Sequence, residues 1–455
     1  MKRVKLVFLL SIAFLIFIFL FLPHTIELTG TLETWFPYKG LTLYKDISMF
    51  HFPLGRFILV PIHLLSNWNL ELDPFVGLIV GVLSLYVIYV FGKKYLSNFA
   101  TSVSMAFFTT FFWYFATAIL YFHEMLIGLL LGIAILVFFV LQASKKININ
   151  KVFLLGVILS LAEFSGQVAT ITVALFSLIA LKKIKFPFYF AAGFLLPIIF
   201  LVIYFLSQNA LAEFFYWNTI YYITYSGFRN TPLSELPWRE IIAFYLPLLI
   251  LLITTRHKFL SLLGLSTIPF IIFSIFHFHH LSYALPLLAI IAGLAIDSIP
   301  RSKHKYAFII IFLILTIPII SWYKARVNPS PSFKIVNDVY PGDPMYDAVE
   351  WVKQNTNKND KLMVFGDPLF YMRADRLPSA RPAKSIPYSW EPLDKISREI
   401  RANSPDYWVT DTRSMKTISE VYKKQNMINF VNEELTSSYI KVATFKIWEI
   451  WKRVY

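Results

Sequence analysis

The sequence predicts an α-helical polytopic membrane protein of about eleven transmembrane helices, followed by a C-terminal extracytoplasmic α/β domain. Three observations predict it. Apolar runs are long enough to cross hydrocarbon, short Lys and Arg clusters stand two runs apart, and the chain turns polar near residue 323. Of 455 residues, 57% are apolar and 15% charged, and the mean hydropathy is +0.60. A soluble arrangement of that composition exposes more apolar face than it hides.

The runs Val4–Pro23, Phe75–Gly92 and Phe186–Leu206 are almost free of charge. About 18 such residues suffice to span the membrane as a helix. The first run follows Lys2, Arg3 and Lys5 as a signal peptide does, but it is long for one. His24-Thr25-Ile26-Glu27 offers no small-residue cleavage motif, so the run reads as a retained span.

Sixteen of the 42 Lys and Arg residues fall in six clusters: Lys2/Arg3/Lys5, Lys93/Lys94, Lys145/Lys146/Lys151, Lys182/Lys183/Lys185, Arg256/Lys258 and Arg301/Lys303/Lys305. Placing every cluster in the cytoplasm requires two spans per interval. The expected spans are 6–22, 74–92, 99–121, 125–142, 152–164, 167–181, 187–206, 240–254, 259–276, 283–299 and 306–322. This puts the N-terminus in the cytoplasm and the tail outside the plasma membrane. The formal charge of +15 then reflects orientation, and no nucleic-acid partner is needed.

Residues 152–181 are too few for two full-thickness helices, yet both flanks are basic. A pair of short helices meeting around Glu163-Phe-Ser-Gly-Gln167 satisfies both facts, and such a break lines a cavity where its backbone finds partners. The tail alternates helix and strand patterns, with helices at 345–354 and 391–402 and strands at 361–365, 407–410 and 440–447. The domains are therefore 1–322, a transmembrane module with a first extracytoplasmic loop at 23–73, and 323–455, the α/β domain. Absence of cysteine removes disulfides, thiolate metal sites and a cysteine nucleophile.

The first loop sets Glu27, Glu33, Asp46 and His51 among six aromatics, then runs through Pro53-Leu-Gly-Arg56 into an apolar stretch. Interface anchoring explains the aromatics, and solvated loop acids are common. Glu124 stands at a turn so short that neighbouring helices hold it at the bundle surface, where a carboxylate needs a cavity, a cation or a partner. Glu163 and Gln167 either line the helix break or face a ligand. Arg229 either meets a phosphate or is solvated. His277, His279 and His280 lack a nearby carboxylate in sequence, and phosphate hydrogen bonding suits them better than metal ligation. Acids, histidines and one arginine at one face fit a transferase acting on a lipid-borne substrate. A lipid or solute transporter, which needs a midplane site and usually internal repeats, is the alternative.

Lys39-Gly40-Leu-Thr-Leu-Tyr44-Lys45-Asp46 and His51-Phe-Pro53-Leu-Gly55 resemble the first-loop signature of the GT-C superfamily of polytopic glycosyltransferases. The closest branch is the protein-O-mannosyltransferase and aminoarabinose-transferase group, glycosyltransferase families 39 and 83. Glu124 resembles that group's second acidic position, and His280-Leu-Ser-Tyr283-Ala-Leu-Pro286 its late His-Tyr-Pro segment. Lys361–Tyr371 and Arg376-Leu-Pro-Ser-Ala-Arg381-Pro382 are similar to its outer-domain motifs.

The resemblance implies inverting transfer of a sugar from a polyprenyl-phosphate donor to a glycan, lipid or protein acceptor. Such transfer serves protein or cell-envelope glycosylation, with membrane lipids as the other partners. A lipid-linked glycan ligase or polymerase is the nearest alternative. An acid near the first span serves as general base. Glu27 keeps the family's spacing to Asp46, but Glu33, beside Trp35, is preferred. Asp46 assists near the phosphate, and Glu124 is the second acid. Lys45, His51, Arg56, Arg229, Glu163, Gln167, His280 and Tyr283 are candidate substrate or phosphate contacts. A divalent metal ion is the one candidate cofactor, with Asp46 and Glu124 its candidate ligands. The chain departs from the family at Glu163-Phe-Ser-Gly-Gln167, which lacks the usual lysine.

Overall fold

The computed structural model describes residues 2–21, 28–49, 52–68, 70–118, 122–144, 146, 148–221, 224, 238–253, 257–269, 278–300, 341–381, 391–420 and 425–454. Two compact units emerge, neither continuous in sequence. Unit 1 comprises Met1–Glu27, His51–Tyr204 and Arg229–Val336, and unit 2 comprises Leu28–Phe50, Phe205–Phe228 and Asn337–Tyr455. In chain order the first helices are α1 (Lys2–Phe21), α2 (Leu28–Tyr38), α3 (Leu54–Phe57), α4 (Val60–Leu65), α5 (Asp73–Tyr95), α6 (Asn98–Ala118), α7 (Phe122–Ala143), α8 (Ile149–Glu163), α9 (Thr170–Lys183), α10 (Pro187–Ser207) and α11 (Leu211–Phe215). Trp238–Ile253, Lys258–Leu265 and Leu285–Asp297 follow.

Unit 1 is a bundle of helices that are apolar on all sides, the pattern of segments buried in protein or in lipid. Leu285–Asp297 is its central helix: 89% of the window His280–Asp297 is buried, against 28% for α10. Asp297 at its end caps α6, accepting from the backbone N–H of Ser97 at 2.8 Å and from the Ser97 hydroxyl. A helix N-terminus favours an anion there. Where α8 crosses α10 the backbones nearly touch. A Cβ on Gly156 would lie 2.2 Å from Phe190 O, and one on Gly193 would lie 2.1 Å from Phe153 O.

Among the described residues, four helices are long and apolar enough to cross a membrane: Asp73–Tyr95, His123–Ala143, Pro187–Ser207 and His280–Asp297. A fifth span is counted if Ile149–Glu163 and Gln167–Lys183, bent by 118° at their junction, act as one. That break falls at the expected Glu163–Gln167 turn. The sequence-based expectation of eleven spans is thus larger than length and composition of the described helices give, because segments such as Lys258–Leu265 are short. The expected span 306–322 lies outside the described residues, as does part of 259–276.

Ring contacts orient the helices. Phe8 meets Tyr86 and Tyr89 while Phe19 meets Phe75, so α1 runs antiparallel to α5. Phe91 and Tyr95 meet Phe139, and Phe138 and Phe176 meet Phe259. The start of α1 and the ends of α5, α7 and α9 therefore gather with the start of Lys258–Leu265. The described residues of five of the six basic clusters belong to or adjoin these termini, so they share one end of unit 1.

Unit 2 is built on a four-stranded sheet of order β1-β2-β4-β3. The strands are β1 (Leu362–Phe365), β2 (Tyr407–Asp411), β3 (Tyr439–Phe445) and β4 (Trp448–Arg453). β1 and β2 are parallel, and β4 is antiparallel to both β2 and β3. The strand expected at 440–447 is the first arm of a hairpin that turns at Lys446, φ +52°, and β4 is its second arm. Helix Pro344–Asn355 begins as expected, with Asp343 accepting from Met345 N–H at 2.8 Å and Pro344 in the first turn. Helices Leu369–Ala374, Thr412–Glu420 and Gln425–Ser438 complete the unit beside Leu393–Ala402.

In the Gly366-Asp367-Pro368 step, Asp367 Oδ1 accepts from Leu369 N–H at 2.9 Å. Burial raises its carboxyl above the ordinary carboxylate range, and like charge from Asp411 and Asp343 adds to the rise. Arg376 is buried and spends its guanidinium on the carbonyls of Ala374, Asp375, Lys353 and Thr356 and on the Thr356 hydroxyl. It therefore knits the loop after Leu369–Ala374 to the end of Pro344–Asn355.

Two outcomes test this packing. Gly193→Ala drives a methyl group into Phe153 O, so thermal unfolding in detergent should show a loss of about 1–3 kcal/mol. Asp367 has a raised folded-state pKa, so its penalty is absent below the ordinary aspartate value and grows as pH rises through the folded value. Asp367→Asn keeps the Leu369 acceptor and removes the charge. It should raise the melting temperature at neutral pH, with the gain fading toward about pH 3.

Candidate functional site

Within unit 1, Glu124 lies in the first turn of α7, where the helix N-terminus favours negative charge. It is completely buried. Its Oε1 is hydrogen-bonded to His280 Nδ1 at 2.8 Å, and His123 Nε2 lies at the same distance. A buried carboxylate without such partners costs several kcal/mol. The ionised carboxylate accepts the Nδ1–H of His280 at Oε1. Glu124 Oε2 is buried and has no hydrogen-bond partner among the described residues.

The helix break and α3 close around this pair. A Cβ on Gly166 would sit 3.2 Å from His123 Cδ2, and one on Gly55 would sit 2.9 Å from Ser165 O and 3.1 Å from His123 Cβ. Only glycine permits these approaches without displacement. Leu54 N–H donates to Phe164 O at 3.1 Å, so a carbonyl freed by the break finds its partner in α3. Glu163 accepts from the Thr170 hydroxyl at 2.7 Å through Oε1, while its Oε2 is buried without a partner among the described residues. Arg56 on α3 is fully buried, Gln167 opens the turn after the break half-buried, and Tyr283 is fully buried three residues after His280. The structure thus gathers the elements bearing Arg56, Glu124, Glu163, Gln167, His280 and Tyr283 at the end of unit 1 remote from the lysine clusters. His123 is the residue sequence reasoning passed over, and its adjacency to Glu124 was the available signal.

Unit 2 holds the described first-loop acids. Glu33 is fully buried on α2. Gly40, φ +88°, ends that helix, with Leu41 N–H returning to Phe36 O at 3.0 Å. Asp46 Oδ2 accepts from Thr42 N–H at 2.7 Å and locks the next turn. Tyr44 at its centre has φ +68° and is buried against Phe205 and Phe214. Lys45 is exposed, and Lys39 pairs with Asp375 at 2.7 Å. Arg381 forks onto Glu399 at 3.1 and 2.8 Å and lies over Trp217. Burial opposes its charge, but Glu399, Glu391 and Tyr216 together raise its pKa. The Arg381 carbonyl accepts from Ser48 N–H at 3.2 Å, tying the first-loop segment to the sheet domain.

Glu27, His51, Arg229 and His277 lie outside the described residues. Among the described residues no three His, Asp or Glu side chains are placed to hold a metal ion. Asp46, expected as a ligand, has committed one oxygen to a backbone amide, and Glu124 has committed Oε1 to two imidazoles. Each keeps its second carboxylate oxygen, and no full ligand set is assembled among the described residues.

The imidazole pairing is testable by stability. His280→Ala removes one donor from a buried carboxylate and should cost roughly 3 kcal/mol in thermal unfolding. His280→Asn sets an amide N–H near the position of Nδ1 and should recover most of that loss.

No family model matches the sequence, and no curated protein matches it. Solved structures do. The aminoarabinose transferase ArnT from Cupriavidus metallidurans, in the apo state, superposes with a TM-score of 0.59 at 13% identity, over 100% of this chain and 98% of that one. The same protein bound to undecaprenyl phosphate gives 0.60 at 12% identity over the same shares. The Archaeoglobus fulgidus oligosaccharyltransferase tethered to an acceptor peptide gives 0.54 at 11% identity, over 100% of this chain and 74% of that one. These likenesses extend along the whole chain and are likenesses of architecture: the chain has the fold of the GT-C glycosyltransferases.

Proposed function

We propose that the protein is an integral membrane glycosyltransferase that moves a sugar from a polyprenyl-phosphate donor to an acceptor hydroxyl or amide, with inversion, at the membrane face opposite its lysine clusters. The observation that carries this reading is the buried Glu124 carboxylate between His123 and His280, within a fold similar over its full length to ArnT. The undecaprenyl phosphate bound by that neighbour supports a lipid-phosphate donor here. The lysine-rich end is then cytoplasmic, and the sheet domain of unit 2 extracytoplasmic.

In this reaction the acceptor gives its proton to a carboxylate, Glu33 or Glu27, as it attacks the anomeric carbon. The bond from that carbon to the phosphate oxygen breaks, and the polyprenyl phosphate leaves with the electron pair. The leaving phosphate gains negative charge, which preorganised donors stabilise best in a dry site. Arg56 on unit 1 supplies such a donor, with His280, Gln167, Tyr283, Lys45, His51 and Arg229 as further contacts. Glu124 fixes the His280 ring in one tautomer and orientation, as a carboxylate partner does for a catalytic imidazole. Its uncommitted Oε2 is available to an acceptor N–H or O–H.

The test is transfer of labelled sugar from a defined polyprenyl-phosphate donor in reconstituted membranes. Glu33→Gln, Asp46→Asn and Glu124→Gln should each insert normally and lower transfer about a hundredfold or more. Asp46→Asn keeps an oxygen for Thr42 N–H, so it separates the charge from the turn. Full activity in both Glu33→Gln and Asp46→Asn overturns the assignment, and substrate flux with no covalent product overturns the transferase reading altogether.

A further inference from the structure

The opposite end of α7 carries a feature the transfer reaction does not use. About 20 Å along the helix from Glu124, at Phe138, a cavity of about 280 Å³ opens in unit 1. Its apolar wall is Phe138, Phe139 and Phe259, and its rim is Lys183, His257 and Lys258. Phe138 is buried, Phe139 and Phe259 are half-buried, and both lysines are exposed. Neither lysine has an acidic partner among the described residues, although they come from different helices and line one opening. An anion at this rim is attracted by both ammonium groups. His257 caps the helix Lys258–Leu265 without a side-chain hydrogen bond to its first amides, and that N-terminus adds partial positive charge at the same rim.

We propose that this cavity binds the headgroup phosphate of an anionic membrane phospholipid. The phosphate sits between Lys183 and Lys258, and the first carbons of the lipid lie on the three phenylalanines. A free phosphate uses the cationic rim but gains nothing from the aromatic wall. A zwitterionic lipid uses the wall but brings its own cation to the rim. The volume is at the low end for a ligand pocket, enough for a headgroup and the start of its chains and too small for a whole lipid. Basic pockets between membrane helices recognise lipid headgroups by this combination. The site stands at the lysine-rich end and is independent of the polyprenyl-phosphate donor proposed at the other.

The experiment uses the purified full chain in detergent and three probes: phosphatidylglycerol, phosphatidylcholine with the same chains, and inorganic phosphate. Phosphatidylglycerol should raise the melting temperature and be retained in native mass spectrometry, and the other two should do neither. Lys183→Gln and Lys258→Gln should each weaken retention about fivefold, and together more, while the lipid-free melting temperature stays unchanged. Phe259→Ala should weaken phosphatidylglycerol retention with both lysines intact. Equal retention of the two lipids, an equal shift with inorganic phosphate, or undiminished retention in the double lysine variant overturns the proposal.

Discussion

A carboxylate sealed from water must be given donors by the protein, and that requirement organises one end of unit 1. Glu124 cannot be buried by α7 alone, because the helix offers it only the partial charge of its N-terminus. His123 comes from the same turn and His280 from a turn 156 residues later. Bringing the His280 turn to α7 demands close backbone approach, which Gly128 permits by leaving no Cβ to strike Tyr283 O, while Gly55 and Gly166 let α3 and the helix break close on Ser165 and His123. The break between α8 and α9 frees backbone groups that apolar surroundings do not satisfy, and α3 supplies Leu54 N–H to one of them. The helix break, the short α3 and the histidine turn are therefore parts of one solution.

Unit 2 solves a different problem, that of giving shape to polar loops. The first-loop segment and the segment after α10 are too short to carry cores of their own. Tyr44 buries its ring against Phe205 and Phe214 at the cost of a left-handed backbone, and Asp46 holds the turn that makes this possible. Arg381 and Lys395 then lie over Trp217 and Tyr216, and Phe36 meets Tyr371. Aromatic residues that read in sequence as interface anchors are here the contacts joining three distant stretches of chain. Glu33 and Asp46 accordingly stand on a folded support.

The GT-C architecture was legible because it depends on features that sequence displays directly. Apolar runs declare the helices, lysine clusters mark one end of the bundle, and Gly-Asp-Pro and Arg-x-Pro steps follow the tail's strand and loop. Glu124 was legible as a lone acid at a short turn. Its partners were less so, since pairing of His123 and His280 depends on how α7 packs against the late turn. The span count rests on charge spacing, which demands an even number of crossings per interval whatever the length of the helices that make them, and 306–322 lies outside the described residues. Strand β4 was hidden because a two-residue turn at Lys446 and Ile447 carries neither Gly nor Asn. Asp46 stood out in sequence as a carboxylate in a motif, and what sequence did not show is that one of its oxygens holds a backbone amide.

The separation of charge along the helices ties the two ends together. Acids open α5, α7 and Trp238–Ile253, and lysines close α5 and α9, so each charge also complements the dipole of the helix that bears it. The same rule that concentrates lysine at one end starves the other of it. A site at the acid-rich end that handles a phosphate must find its cations elsewhere. Imidazole meets this condition, since it inserts without a fixed charge and acquires a partner only when the fold brings Glu124 to it. Buried Arg56, on α3 beside the helix break, is a fixed cation at this end. The choice of histidine over lysine at this end follows from membrane topology as much as from chemistry.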